Sequence, residues 1–150
     1  MKVMESKTSL LKYGILIAAS LTAYFLILNS IGLSEKIELR LFNFLIIMAG
    51  IIMAIRSVKA NEPSFDYLRG FGVGLYVTII ATIPFAVFMF FFLELNEPFM
   101  LNLIENAPFG QFLSPWASAA VVFFEGLSSG IIITYTAMQY FKKSKPVKIV

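Results

Sequence analysis

Apolar residues gather into four long stretches, Tyr13–Leu33, Leu39–Ile55, Phe71–Leu93 and Pro115–Phe141, each flanked by charged or turn-forming positions. A helix needs about 20 such residues to cross the hydrocarbon of a bilayer. Three stretches exceed that length and Leu39–Ile55 sits at the short limit. The pattern predicts an all-α fold: a four-transmembrane-helix bundle forming a single integral membrane domain over residues 1–150. Between the third and fourth stretches, Asn96-Glu97-Pro98 has the composition of a helix start, with Pro tolerated in the first turn. Phe99, Met100, Leu103 and Ile104 then share one face, opposite Asn102, Glu105 and Asn106, and Ala107-Pro108-Phe109-Gly110 closes the segment. This reads as a short outer interfacial helix, the alternative being an apolar loop packed over the bundle. Pro84 falls inside the third stretch, where it should kink the helix. The phenylalanines after it, Phe85, Phe88, Phe90, Phe91 and Phe92, read as a surface for packing and for lipid.

Composition narrows the possibilities. The chain has 150 residues, 59% hydrophobic and 14% charged, with mean hydropathy +0.83, which leaves no room for a separate soluble domain. It has neither cysteine nor histidine. Disulfides, zinc held by thiolate or imidazole, and Cys or His catalysis are therefore outside its chemistry. Lys2, Lys7 and Lys12 ahead of an apolar run resemble a secretory signal, but the run is longer than the roughly 7–15 residues of a signal core, so an uncleaved first helix is expected.

The charges set an orientation. Lys2, Lys7 and Lys12 precede the first stretch, Arg56, Lys59 and Arg69 follow the second, and Lys142, Lys143, Lys145 and Lys148 follow the fourth. The alternate connections hold only Lys36 and Arg40. Positive residues favour the cytoplasmic side, so both termini are expected there, in a bacterial inner membrane. Tyr13, Tyr67 and Tyr140 at the inner boundary and Trp116 at the outer one agree, because amphipathic rings prefer the headgroup level. Spread over separate segments, the net charge of +3 reads as a topology signal and not as a nucleic-acid surface.

Glu125 is the outlier. It lies about ten residues inside the fourth stretch, where an acidic group costs roughly 2.5–3.5 kcal/mol on insertion scales. Ser114, Ser118, Ser128, Ser129, Thr136 and Gln139 lie near its line at helical spacing, so that side is expected to face protein or water. On the first stretch Ala18, Thr22 and Asn29 align, and on the second Asn43, Ile47, Gly50 and Ala54. On the third, Gly70, Gly74, Thr78 and Thr82 recur every four residues, a spacing that lets helices approach closely. Thr22 and Thr82 fall at about the depth of Glu125, which suggests a candidate intramembrane polar site of Glu125, Ser118, Ser129, Thr22 and Thr82. Its expected form is a buried carboxyl bonded to the two threonine hydroxyls, with no basic partner at that depth, and burial would favour the neutral acid. Gly126 and Gly130 form a second surface on the same helix, for an adjacent helix or for a homodimer.

One stretch resembles a known family. Gly50-Ile51-Ile52-Met53-Ala54-Ile55-Arg56-Ser57-Val58-Lys59, a polar turn, and Ser64-Phe65-Asp66-Tyr67-Leu68-Arg69-Gly70-Phe71-Gly72-Val73-Gly74-Leu75 are similar to the bacterial domain-of-unknown-function family numbered four-one-nine-nine. Lys12-Tyr13-Gly14 is similar too. The resemblance implies a small four-helix integral membrane protein and carries no catalytic residues with it.

The expectation is a structural or accessory membrane protein that works through helix packing. The rival is a small transporter or a proton or cation conduit built on Glu125. Serines have no base near them at membrane depth, and an intramembrane aspartyl protease needs two facing acids, so no enzyme activity and no cofactor are expected. The expected partners are the lipid bilayer and other membrane proteins or a second copy of the chain.

Overall fold

The computed structural model describes residues 2–34 and 36–141. The chain forms α1 (Lys2–Ser30), α2 (Ile37–Asn61), α3 (Tyr67–Leu95), α4 (Glu97–Asn106) and α5 (Pro115–Phe141), with a single 3-10 turn at Gly110–Phe112 and no strand among the described residues. Four of the helices are long and apolar enough to cross a membrane: Thr8–Ser30, Glu38–Asn61, Tyr67–Leu95 and Pro115–Phe141. The architecture is an all-α bundle. Lys142, Lys143, Lys145 and Lys148 lie outside the described residues.

The helices outrun the apolar stretches at several ends, since α1 begins at Lys2 and α2 continues to Asn61. Hydropathy marks the lipid slab, whereas the backbone ladder ends only where a cap or a left-handed residue stops it. Such stops are visible. At the end of α1, Gly32 has φ 70°, Leu33 N–H donates to the Leu28 carbonyl at 2.9 Å and Gly32 N–H to the Asn29 carbonyl at 3.1 Å, a Schellman ending. The Asp66 side chain accepts from the Arg69 amide at 2.8 Å and so opens α3, while Ser114 Oγ accepts from the Ala117 amide at 3.1 Å and opens α5. Asn96 caps α4, with Pro98 in its first turn. Helix α3 runs through Pro84 without a break.

α3 packs against all three other long helices, and α2 also touches α1 and α5, so α1 and α5 stand at opposite corners. The closest pairing is antiparallel, between α3 and α5. A Cβ added at Gly70 would strike Met138, one at Gly74 would strike Thr134, one at Gly130 would strike Thr78 and one at Gly126 would strike Thr82. Each step of four residues up α3 meets a step of four down α5, and the glycine is on α3 for the first two contacts and on α5 for the next two. The absence of a side chain at each glycine is what lets the backbones approach. Gly14 of α1 fits against Ile80 of α3 in the same way, and Gly50 of α2 against Ile17 of α1.

Leu21, Ile51, Ile55, Val73, Val77 and Met138 fill the bundle axis. Ile15, Ile27, Leu41, Phe91 and Val121, among others, remain exposed on its outside. So much uncovered apolar side chain is an aggregation hazard in water and the normal outer surface of a protein in lipid. At the end of the bundle that carries α4, Phe25 meets Phe88, Phe92 and Phe99 edge-on, with centroids 6.0, 4.9 and 6.1 Å apart, which ties α1, α3 and α4 together. Met100 of α4 is buried, and Phe99, Leu103 and Ile104 are half-buried while Glu105 and Asn106 are exposed. The segment is thus a helix packed on the bundle by its apolar side. Trp116 stands exposed, edge-on to Phe90 of α3 at 5.4 Å.

Candidate functional site

Helix α5 carries Glu125 ten residues beyond Pro115, about 15 Å along the axis at the usual helical rise. The carboxylate faces outward from the bundle, on the seam between α5 and α2. There Arg40 Nη2 donates to Glu125 Oε2 at 2.7 Å. The two side chains are 45% and 54% exposed. A charge-assisted bond of this length is strong, and in lipid it removes most of the penalty that either charge would carry alone.

This corrects two expectations. The first is the isolated, buried carboxyl, because Glu125 has a basic partner. Arg40 had seemed to belong to a connection, but α2 begins at Ile37 and places it in the first helical turn, within reach of α5. The signal was the place of Arg40 itself, second in the Leu39–Ile55 stretch although counted with the connection before it. The second is the link to Thr22 and Thr82. Thr22 belongs to α1, at the corner opposite α5, and lines a shallow apolar hollow of about 440 Å³ with Ile15, Ala18, Ala19, Ala23, Leu26 and Pro84. Thr82 is buried between α3 and α5, where its hydroxyl donates to the Thr78 carbonyl at 2.9 Å. Ser118 is buried and its Oγ has no partner, while Ser129 is half-buried. The five polar positions therefore do not converge.

Gly70, Gly74, Thr78, Gly126 and Gly130 do come together, as the α3–α5 contact already described. Thr78 donates to the Gly74 carbonyl at 2.8 Å, so its hydroxyl is satisfied within its own helix and its methyl is left for Gly130. The Gly126–Gly130 surface is consumed inside the chain. What α5 leaves uncovered is the Glu125 side, with Ser128, Thr136 and Gln139 also exposed.

The seam is held at both ends. Near the C-terminal end of α2, Lys59 Nζ donates to the Phe141 carbonyl at 3.2 Å and lies 5.1 Å from the centre of the Phe141 ring. A cation at a helix C-terminus is favourably placed for the dipole and for the last free carbonyls. Beyond it, Arg69 Nε and Nη2 grip Glu62 Oε2 and Oε1 at 2.9 and 2.7 Å across the α2–α3 connection. The α2–α5 pair is therefore a fixed platform that displays an ion pair outward.

No protein-family model, curated protein or solved structure matches the chain. The family resemblance rests on the Gly50–Leu75 stretch and on Lys12-Tyr13-Gly14 alone.

Proposed function

We propose that this is a multi-pass protein of a bacterial cytoplasmic membrane, with both termini in the cytoplasm, that acts by binding other membrane components, and that the α2–α5 seam is where it binds. One observation carries the proposal: the Arg40–Glu125 pair is half-exposed on the outside of a helix long and apolar enough to cross a membrane, on a face where Val121 and Ile132 are exposed beside Ser128 and Gln139. Lipid tails offer such a pair no hydrogen-bonding partner, so polar groups at this depth favour contact with protein. A conduit through a single chain is less well supported. The bundle axis is filled by Ile51, Ile55, Val77, Thr78 and Thr134, and Glu125 does not open onto it.

The test uses the full chain in native membranes. Components that co-purify with the wild type should be lost with Arg40→Gln and with Glu125→Gln, and the purified protein should leave a pH gradient across liposomes intact. Flux that appears with the wild type and vanishes with Glu125→Gln would overturn docking in favour of conduction. For orientation, Ser64→Cys should react with impermeant thiol reagents only from the cytoplasmic side and Gln111→Cys only from the opposite side. The reverse pattern would invert the topology.

A further inference from the structure

Along α5, Val121, Glu125, Ser128, Ile132, Tyr135 and Gln139 recur at spacings that alternate between four and three, and all six are exposed. This is the rhythm of a helix-to-helix seam, in which every such position meets a partner helix. The face that α5 turns toward α3 is a different one, the Gly126–Gly130 side. Leu41, Phe44 and Leu45 of α2 are exposed, on the helix that carries Arg40. The seam thus has the pattern of an interface and lacks an occupant within the chain.

The ion pair specifies the occupant. A guanidinium has five N–H donors and a carboxylate two acceptor oxygens. Here one Nη2 donor and one Oε2 acceptor are joined, leaving the other N–H groups and Oε1 still to be satisfied. Any partner must offer an acceptor and a donor together, at the same depth in the membrane. Copies of one chain insert with the same orientation, because the same charges direct them. A two-fold axis relating two copies must then run along the membrane normal, and it preserves depth. Rotation about that axis beside the seam brings a donor and an acceptor to a second set carrying the same pair in the reverse order. Such an isologous contact is self-complementary in charge.

We infer that the α2–α5 seam binds a second copy of this chain about a two-fold axis normal to the membrane, with Arg40 of each copy also donating to Glu125 of the other. The inference deepens the docking proposal above and rests on it. The result is a neutral ring of two guanidinium groups and two carboxylates, in which each charge has a partner on both sides.

The chain has no cysteine, so an introduced thiol is its sole one. Ser128→Cys places it on the seam, and Ile15→Cys places it on α1, at the opposite corner of the bundle. Both positions are exposed. Copper–phenanthroline oxidation of native membranes should convert Ser128→Cys to a species of twice the 16.8 kDa chain mass and leave Ile15→Cys as monomer. A second arm separates contacts between copies from the pair within one. Arg40→Glu and Glu125→Arg, differently tagged, each set like charges together within a copy and should not self-associate; co-expressed, they should co-purify, because opposite charges then meet only across the axis. Equal cross-linking at both thiols, or no self-linked species from Ser128→Cys, overturns the second-copy inference. If a thiol-reactive photocrosslinker on Ser128→Cys captures a different membrane protein in place of a second copy, the inference falls and the docking proposal survives. If it captures no protein, both fall. Should the charge variants fail to accumulate, the Ser128→Cys result decides, since it leaves the ion pair unaltered.

Discussion

Gly130 of α5 lies against the Thr78 side chain of α3 with no room for a Cβ between them. The two backbones are held together by the absence of a side chain on one and the branched shape of the other. Gly74 and Thr134 repeat the contact with the roles exchanged. Gly130→Ala should therefore cost about 1–3 kcal/mol through overpacking. Gly72 meets nothing within 4 Å, so Gly72→Ala should be neutral or gain up to about 1 kcal/mol from helix propensity. Thr78→Ala combined with Gly130→Ala should recover part of the loss. Unfolding of the detergent-solubilised protein by added dodecyl sulfate, followed by circular dichroism, reads all three. An unchanged midpoint for Gly130→Ala would mean that the helices do not meet in this register.

Just after α4, Phe109 has φ 61°, the left-handed region, and its ring is exposed. A residue with a Cβ costs about 1–2 kcal/mol there, which glycine avoids. Phe109→Gly should raise stability by about 1 kcal/mol in the same assay. Gly110→Ala should lower it, because the new methyl would run into the Ile104 carbonyl. A loss with Phe109→Gly would show that the ring contributes more by packing or insertion than its backbone costs.

The α2–α3 connection offers a contrast between a cap and a surface ion pair. Asp66 accepts the Arg69 amide bond that starts α3, so Asp66→Ala should cost about 1 kcal/mol and Asp66→Asn much less. The Arg69–Glu62 pair has side chains 44% and 28% exposed. Arg69→Gln should cost no more than about 1 kcal/mol, and less as salt rises. A larger penalty for Arg69→Gln than for Asp66→Ala would reverse the ranking and make the ion pair the main determinant of this turn.

The membrane-crossing elements were legible because length and hydropathy are local properties. The Phe71–Leu93 and Pro115–Phe141 stretches lie within α3 and α5, Tyr13–Leu33 runs three residues past the end of α1 at Ser30, and the cap at Asn96 and the apolar face of α4 could be found by spacing alone. The arrangement of the helices around the bundle axis was not legible. Thr22 was matched to Glu125 by depth, but depth says nothing about which helices are neighbours, and α1 and α5 stand at opposite corners. Arg40 was missed for a related reason. A count of charges per connection treats each charge as lying outside the membrane, whereas α2 starts three residues before Arg40 and brings it against α5. Polar residues on one side of α5 showed that this side differs from the rest, without showing whether it faces its own chain or another.

The two members of the Arg40–Glu125 pair should not be equivalent when removed singly. Arg40 stands in the first turn of α2, close to the end of the helix, on a long side chain. With Glu125→Gln it is free to extend its guanidinium toward the headgroups while its methylenes stay in lipid, so the loss in stability should be small. Glu125 stands ten residues inside α5 on a shorter side chain that cannot reach the interface. With Arg40→Gln its carboxyl loses its partner at depth, and the cost should approach the roughly 2.5–3.5 kcal/mol of a lone intramembrane charge. The double variant Arg40→Gln/Glu125→Gln should be more stable than Arg40→Gln alone, because it removes the stranded group together with its partner. Dodecyl sulfate unfolding of the four proteins at neutral pH measures the whole cycle. If Glu125→Gln proved the more damaging single change, or if the double variant were worse than Arg40→Gln, the position of Glu125 deep in the membrane and Arg40 near its edge would have to be abandoned.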